Sequence, residues 1–165
     1  MHVSKDLMWW RESEKTCNLN KALEKLEFDG LHDLESWCGV QDSDYPKLQN
    51  ITIRNCCKLR RIPYFGSVKK LILSNLALTD LQLSVHNAQS QLQILDIRYC
   101  ENMTSLMGLK ALCSLGSLYI AHCPDLIVSP KVNLPYKPHL VFIDECPGLI
   151  EWCGEQGFHY QVCYF

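Results

Sequence analysis

The chain has 165 residues, of which 47% are hydrophobic and 21% charged, and its formal net charge is −2. These values are ordinary for one soluble domain, and the charge argues against general affinity for nucleic acid or an anionic membrane. No apolar run reaches the ~18 residues that span a bilayer, and the first sixteen residues lack the apolar core of a secretion signal. We therefore expect an intracellular protein, located in the cytoplasm or the nucleus.

One pattern recurs from residue 23 to residue 146. It spans nine positions, with apolar residues at positions one, four and six and cysteine or leucine at position nine. The six copies begin at Leu23, Leu48, Val68, Leu92, Leu115 and Pro138. Successive copies start 20 to 25 residues apart, which is the spacing typical of leucine-rich repeats.

The middle of each copy predicts a short strand. In the fourth copy, Leu95, Asp96 and Ile97 alternate between apolar and polar residues, as in a half-buried strand. One copy cannot hide its apolar face alone, so neighbouring copies must stack and pair their strands in parallel. The sequence therefore predicts an α/β solenoid over residues 23–152. It has about six repeats, with short parallel strands on the concave face and mostly irregular or 3-10 loops on the convex side.

The two ends of the chain depart from the pattern. Residues 1–22 are interpreted either as a degenerate cap, with a short helix starting near Ser4, or as an N-terminal flank left where earlier repeats are missing. Residues 153–165 are interpreted as a C-terminal cap or tail, whose alternating aromatic and apolar residues predict a last strand. An uncovered N-terminal end would favour self-association.

Ten cysteines raise the alternative of a disulfide-bonded secreted protein. Four of them occupy position nine of their copies, which are Cys56, Cys100, Cys123 and Cys146. A small side chain that turns inward suits this position, and its S–H group can bond the loop backbone. We therefore favour reduced structural thiols, with disulfides as the alternative, and expect the adjacent Cys57 to point outward.

Several phrases of the chain resemble a known protein family. Residues 45–63, YPKLQNITIRNCCKLRRIP, are similar to the phrase F-P-x-L-x-x-L-x-I-x-x-C-P-K-L-x-x-L-P, and residues 123–126 and 146–149 match its recurrent C-P-x-L. This phrase is found in the leucine-rich-repeat region of plant nucleotide-binding disease-resistance proteins of the coiled-coil class. The resemblance covers about residues 23–157. Cys57 replaces a proline that the family prefers, and the third copy lacks the cysteine.

The resemblance implies the C-terminal end of such a receptor, and hence a non-enzymatic protein-recognition module of plant innate immunity. Its partner would be a pathogen effector or a host protein, and in a full receptor it would restrain the nucleotide-binding domain. The chain itself contains no G-x-x-x-x-G-K-[ST] phosphate-binding motif. Two alternatives are a substrate adaptor of a ubiquitin ligase, although residues 1–22 are too short for an F-box, and a freestanding truncated regulator or decoy.

The concave face is the expected partner-binding surface, because partners of solenoids usually bind there. Positions five, seven and eight are expected to face outward. In the C-terminal half they bring together Arg98, Tyr99, Tyr119, His122 and Phe142. Aromatic residues and arginine are typical of interface hot spots, and cross-strand packing without a partner is the alternative.

We predict no catalytic residue, no cofactor and no metal site. A zinc site could be assembled on paper from Cys146, Cys153, His159 and Cys163, but the chain has no C-x-x-C pair. The partners expected are proteins, and neither nucleic acid nor membrane.

Overall fold

The structure, a computed structural model, describes residues 22–38, 41–83, 90–129 and 133–157. Three predictions fall wholly or partly on residues outside these ranges. They are the helix near Ser4 in the N-terminal flank, the last strand near the C-terminus, and the zinc alternative, which includes His159 and Cys163.

Six short strands form one parallel sheet, with one strand from each repeat. They are β1 (Lys25–Asp29), β2 (Asn50–Arg54), β3 (Lys70–Ser74), β5 (Ile94–Arg98), β7 (Ser117–Ala121) and β8 (Leu140–Asp144). Each strand covers positions three to seven of its copy, and equivalent positions lie opposite each other in every pair. The predicted leucine-rich-repeat solenoid and the strand positions are confirmed.

The apolar positions of the pattern build one continuous core. Ile53, Leu95, Ile97 and Ile120 lie on strands and are fully buried. Burying one such side chain contributes about 1.5–3 kcal/mol. β1 is less well covered, since Leu26 and Phe28 are only partly buried and, among the described residues, its strand has a neighbour on one side only. Self-association through this end stays a prediction.

The loops behind the sheet are more regular than predicted. β4 (Asp80–Gln82) pairs in parallel with β6 (Ser105–Met107), and a single bridge joins Ser36 to Arg61. The remaining regular pieces described there are 3-10 helices at Asp42–Asp44 and Leu109–Ala111. Main-chain pairing between stacked loops satisfies N–H and C=O groups that burial would otherwise leave unbonded.

A helix, α1 (Pro147–Gln156), covers the last repeat. Proline suits the first helical position, and Gly157 ends the helix in the left-handed region at φ 62°. Leu149, Trp152 and Cys153 are its buried residues, so the predicted boundary between residues 152 and 153 falls inside this helix. No helix within the described ranges is long and apolar enough to cross a membrane.

Aromatic rings of the first repeats lie inside the solenoid. Trp37 contacts Phe28 at a ring-centroid distance of 5.1 Å and Phe65 at 5.2 Å, and Tyr45 contacts Phe65 at 6.0 Å. Trp37, Tyr45 and Phe65 are buried. These rings fill the space behind β1 and β2.

Candidate protein-binding surface on the concave sheet

Positions three, five and seven of each repeat copy lie on its strand and face away from the core, because side chains alternate along a strand. Equivalent positions are neighbours in this in-register sheet, so each position forms a row across six strands. In the N-terminal half the rows are charged, and Glu27 lies 3.4 Å from both Lys25 and Arg54. The C-terminal half is mostly apolar and aromatic.

Tyr119 and Phe142 form the centre of that C-terminal half. They lie directly opposite each other on β7 and β8, with ring centroids 6.4 Å apart and ring planes tilted by 38°. Both side chains remain partly exposed. Two predicted site residues therefore meet as one cross-strand pair on the concave face.

Arg98 is held by a carboxylate of its own strand. Its Nε donates to Oδ1 of Asp96 at 2.7 Å, and its Nη2 donates to Oδ2 at 3.0 Å. The hydrogen bonds to Asp96 raise the pKa of the guanidinium above its ordinary value, so Arg98 stays charged. The bidentate pair fixes the orientation of the guanidinium while compensating its charge.

Two more members of the surface were missed by reasoning from the sequence. Ile94 and Leu140 occupy position three and are partly exposed beside the rings. Side chains alternate along a strand, so position three faces the same side as positions five and seven, and the sequence could have identified it as outward. We call Ile94, Arg98, Tyr119, Leu140 and Phe142 the aromatic patch.

Position eight lies in a turn just beyond each strand, and not on the strand surface as expected. In all six repeats this residue has left-handed backbone. The φ angles are 67° for Gly30, 54° for Asn55, 55° for Asn75, 55° for Tyr99, 54° for His122 and 47° for Glu145. Glycine and asparagine adopt this conformation readily, whereas other residues lose about 1–2 kcal/mol each.

The side chains at this turn interact from one repeat to the next. Asn55 Nδ2 donates to Oδ1 of Asp29 at 2.9 Å, and Asn75 Nδ2 donates to Oδ1 of Asn55 at 3.2 Å. Farther along, Tyr99 and His122 stack with centroids 4.4 Å apart and planes 9° from parallel.

The last two turns are also connected, because His122 Nδ1 lies 2.7 Å from Oε2 of Glu145. We call six side chains along these turns the turn ladder. They are Asp29, Asn55, Asn75, Tyr99, His122 and Glu145. The turn ladder places Tyr99 and His122 together at the rim of the sheet, whereas Tyr119 and Phe142 form the separate pair on its face. The predicted site thus divides into two aromatic pairs, and Arg98 lies at the end of β5, directly before Tyr99.

The position-nine cysteines point inward, as predicted, and Cys57 is exposed. Each inward thiol donates to the carbonyl oxygen two residues earlier. The Sγ to O distances are 3.3 Å for Cys56, 3.5 Å for Cys100, 3.4 Å for Cys123 and 3.1 Å for Cys146. The cysteines of the described ranges are free thiols.

Their environment suppresses thiolate formation at several positions. Hydrogen bonding to Cys100, together with burial, raises the pKa of Cys123 to about 12, and burial raises the pKa of Cys153 to about 11. Cys100 differs, because its hydrogen bond with Cys123 lowers its pKa. The thiolate is the nucleophilic and metal-binding form. Within the described ranges, no three histidine, cysteine or acidic residues are placed to hold a metal.

No family model and no solved structure matches the chain. The chain is 27% identical over 167 residues to a protein of Arabidopsis thaliana named "Probable disease resistance protein RF9". The match covers 95% of this chain and 14% of the relative's length. The repeat pattern, the parallel sheet and this match together show a leucine-rich-repeat solenoid that is similar to a region of a plant disease-resistance protein.

Proposed function

We propose that the chain is a non-enzymatic protein-recognition module of plant innate immunity. Its aromatic patch binds the partner, which is a pathogen effector or a host protein. The match to a disease-resistance protein supports the immune role. The solenoid fold and the same match support a non-catalytic module.

The observation that carries the recognition proposal is the exposed pair of Tyr119 and Phe142 beside Arg98. A few residues supply most of the binding energy at protein interfaces, and they are enriched in tryptophan, tyrosine and arginine. Here the rings lie on adjacent strands of a continuous sheet, and Asp96 already orients the guanidinium. Little conformational freedom is left to lose on binding, which favours affinity.

Proximity labelling in plant cells tests this proposal. The full chain is compared with a variant that combines Tyr119→Ala and Phe142→Ala, and with a control that combines Lys25→Ala and Lys70→Ala in the N-terminal half of the same face. We expect the aromatic variant to lose the partners that the wild type and the control both label. All three proteins should retain similar unfolding midpoints, because the replaced side chains lie outside the core.

An identical set of labelled partners for all three proteins would contradict the proposal that the aromatic patch binds the partner. If the aromatic variant loses both its partners and its fold, Phe142→Leu separates the two effects, because it keeps an apolar side chain of similar bulk. That variant should fold and bind more weakly.

We further propose that the chain works as part of a longer receptor, in which it restrains the nucleotide-binding domain. The relative's much greater length supports this reading. An antibody against residues 41 to 63 measures the mass of the endogenous protein. A band several times larger than 19.0 kDa is expected, in the cytoplasmic or nuclear fraction. A band at that mass would replace the receptor proposal with a freestanding regulator or decoy.

A further inference from the structure

A polar groove of about 470 Å³ lies along the turns that follow β2, β3 and β5. It is separate from the aromatic patch and shares none of its residues. The polar groups that matter here belong to Asn55, Cys57, Asn75, Tyr99, Glu101 and Asn102. No lysine, arginine or histidine of the described ranges lines it.

The turn ladder presents an open hydrogen-bond acceptor to this groove. The ladder runs in one direction, since Asn75 donates to Asn55 and Asn55 donates to the carboxylate of Asp29. Tyr99 has no carboxamide with which to continue it. Among the described residues, Oδ1 of Asn75 is therefore met only by the thiol of Cys57, at 3.8 Å, and a thiol is a weak donor. Successive amides polarise one another, so the carboxylate at the far end strengthens this acceptor.

Tyr99 supplies an aromatic wall. One face of its ring is covered by His122 in the next repeat, so the other face lies on the side of Asn75 and borders the groove. The residue is 51% exposed. The face of an aromatic ring attracts cations.

Glu101 adds a carboxylate to the same groove. It is exposed and forms no ion pair with another residue of the described ranges. The groove thus combines a negative charge, a polarised carbonyl acceptor and an aromatic face. A single carboxylate is a poor set of ligands for a metal ion, and a phosphate would find no cation to pair with.

We propose that this groove binds the guanidinium group of an arginine side chain on a partner protein. The planar group stacks on Tyr99, donates to Oδ1 of Asn75 and pairs with Glu101. Guanidinium suits all three contacts, because it is flat, permanently charged and carries several N–H donors. This inference rests on the proposed recognition function and specifies the chemistry of a second contact at the rim of the sheet.

NMR titration of the full chain with N-acetyl-arginine-N-methylamide tests the site. We expect shifts at Asn75, Tyr99 and Glu101, and weaker binding of the corresponding lysine and citrulline compounds. Glu101→Gln should weaken binding about tenfold, as expected for loss of one charge-assisted hydrogen bond. Asp125→Asn removes an exposed carboxylate one repeat farther along and outside the groove, so it should leave the affinity unchanged.

Equal affinity for the citrulline compound, or unchanged affinity in Glu101→Gln, would overturn the proposal. Tighter binding of free arginine than of the capped compound would overturn the assignment to a protein side chain and favour a free amino acid. A variant with both Tyr119→Ala and Phe142→Ala should still bind the arginine compound. Failure of the groove therefore leaves the partner-labelling test of the aromatic patch untouched, and the two proposals can fail separately.

Discussion

The first three repeats and the last three share one backbone, yet only the last three have aromatic rings on the outward positions of the sheet. Trp37, Tyr45 and Phe65 lie buried behind the N-terminal strands. Tyr119 and Phe142 stand on the concave surface of the C-terminal strands, and Tyr99 lies at their rim. Aromatic side chains pack in the interior of both halves, since Trp152 is also buried, but only in the C-terminal half do they also stand on the concave surface.

The left-handed turn after each strand shows the same division. The first three repeats have Gly30, Asn55 and Asn75 there, which suit the conformation. The last three have tyrosine, histidine and glutamate, which do not. Backbone strain of this kind persists at functional sites, where side-chain chemistry matters more than local stability. This difference agrees with the proposed binding of a partner by the C-terminal half of the concave face.

The largest expected effect tests what the two halves have in common. Leu71→Ala in β3 and Leu95→Ala in β5 remove the same buried side chain from position four of an N-terminal and a C-terminal repeat. Each should destabilise the fold by roughly 2–5 kcal/mol, measured by urea unfolding. Ile94→Ser, at an outward position, should cost much less. An unchanged midpoint for Leu95→Ala would refute the inward assignment.

A smaller effect, of opposite sign, tests the difference between the halves. Tyr99→Asn places in the fourth turn the residue found in the second and third, which relieves left-handed strain and offers a donor to Oδ1 of Asn75. We expect a gain of about 0.5–1 kcal/mol in unfolding free energy, after loss of the stack on His122.

Thermal unfolding measures this gain, and the arginine titration should show weaker binding by the same variant. Stability that falls on Tyr99→Asn would mean that the aromatic stack outweighs the strain, and the turns of the C-terminal half would then be structural.

The smallest effect concerns the last rung of the turn ladder. Glu145→Gln removes the charge that faces His122. The side chain of Glu145 is 69% exposed and that of His122 is 30% exposed. Exposed pairs contribute about 0.2–1 kcal/mol and are screened by salt, so the loss should shrink in 1 M NaCl. A loss of the same size at both salt concentrations would indicate packing and not charge.

The sequence predicted the six strands well, because core positions in a repeat must recur at fixed spacing. It did not predict the pairing of β4 with β6, since that contact joins main-chain groups and places weak demands on side chains. α1 was also missed. Pro147 at its start, Gly157 at its end and the spacing of Leu149, Trp152 and Cys153 are helix signals that a repeat pattern obscures.

The candidate site was predicted in composition but only partly in geometry. Tyr119 and Phe142 meet as the pattern implies, whereas Tyr99 and His122 lie in turns. Asparagine and glycine at the equivalent places of earlier repeats were the available signal, because both favour left-handed backbone. Ile94 and Leu140 were missed because position three was not counted among the outward positions.

The in-register pairing of the six strands has a consequence for how such a surface changes over generations. Every outward side chain occupies one cell of a grid, in which repeats are rows and positions are columns, and it touches mainly the cells beside it. One mutation therefore changes one outward side chain without moving the backbone beneath it. A lineage can accordingly explore many different surfaces by single substitutions while inheriting the same scaffold.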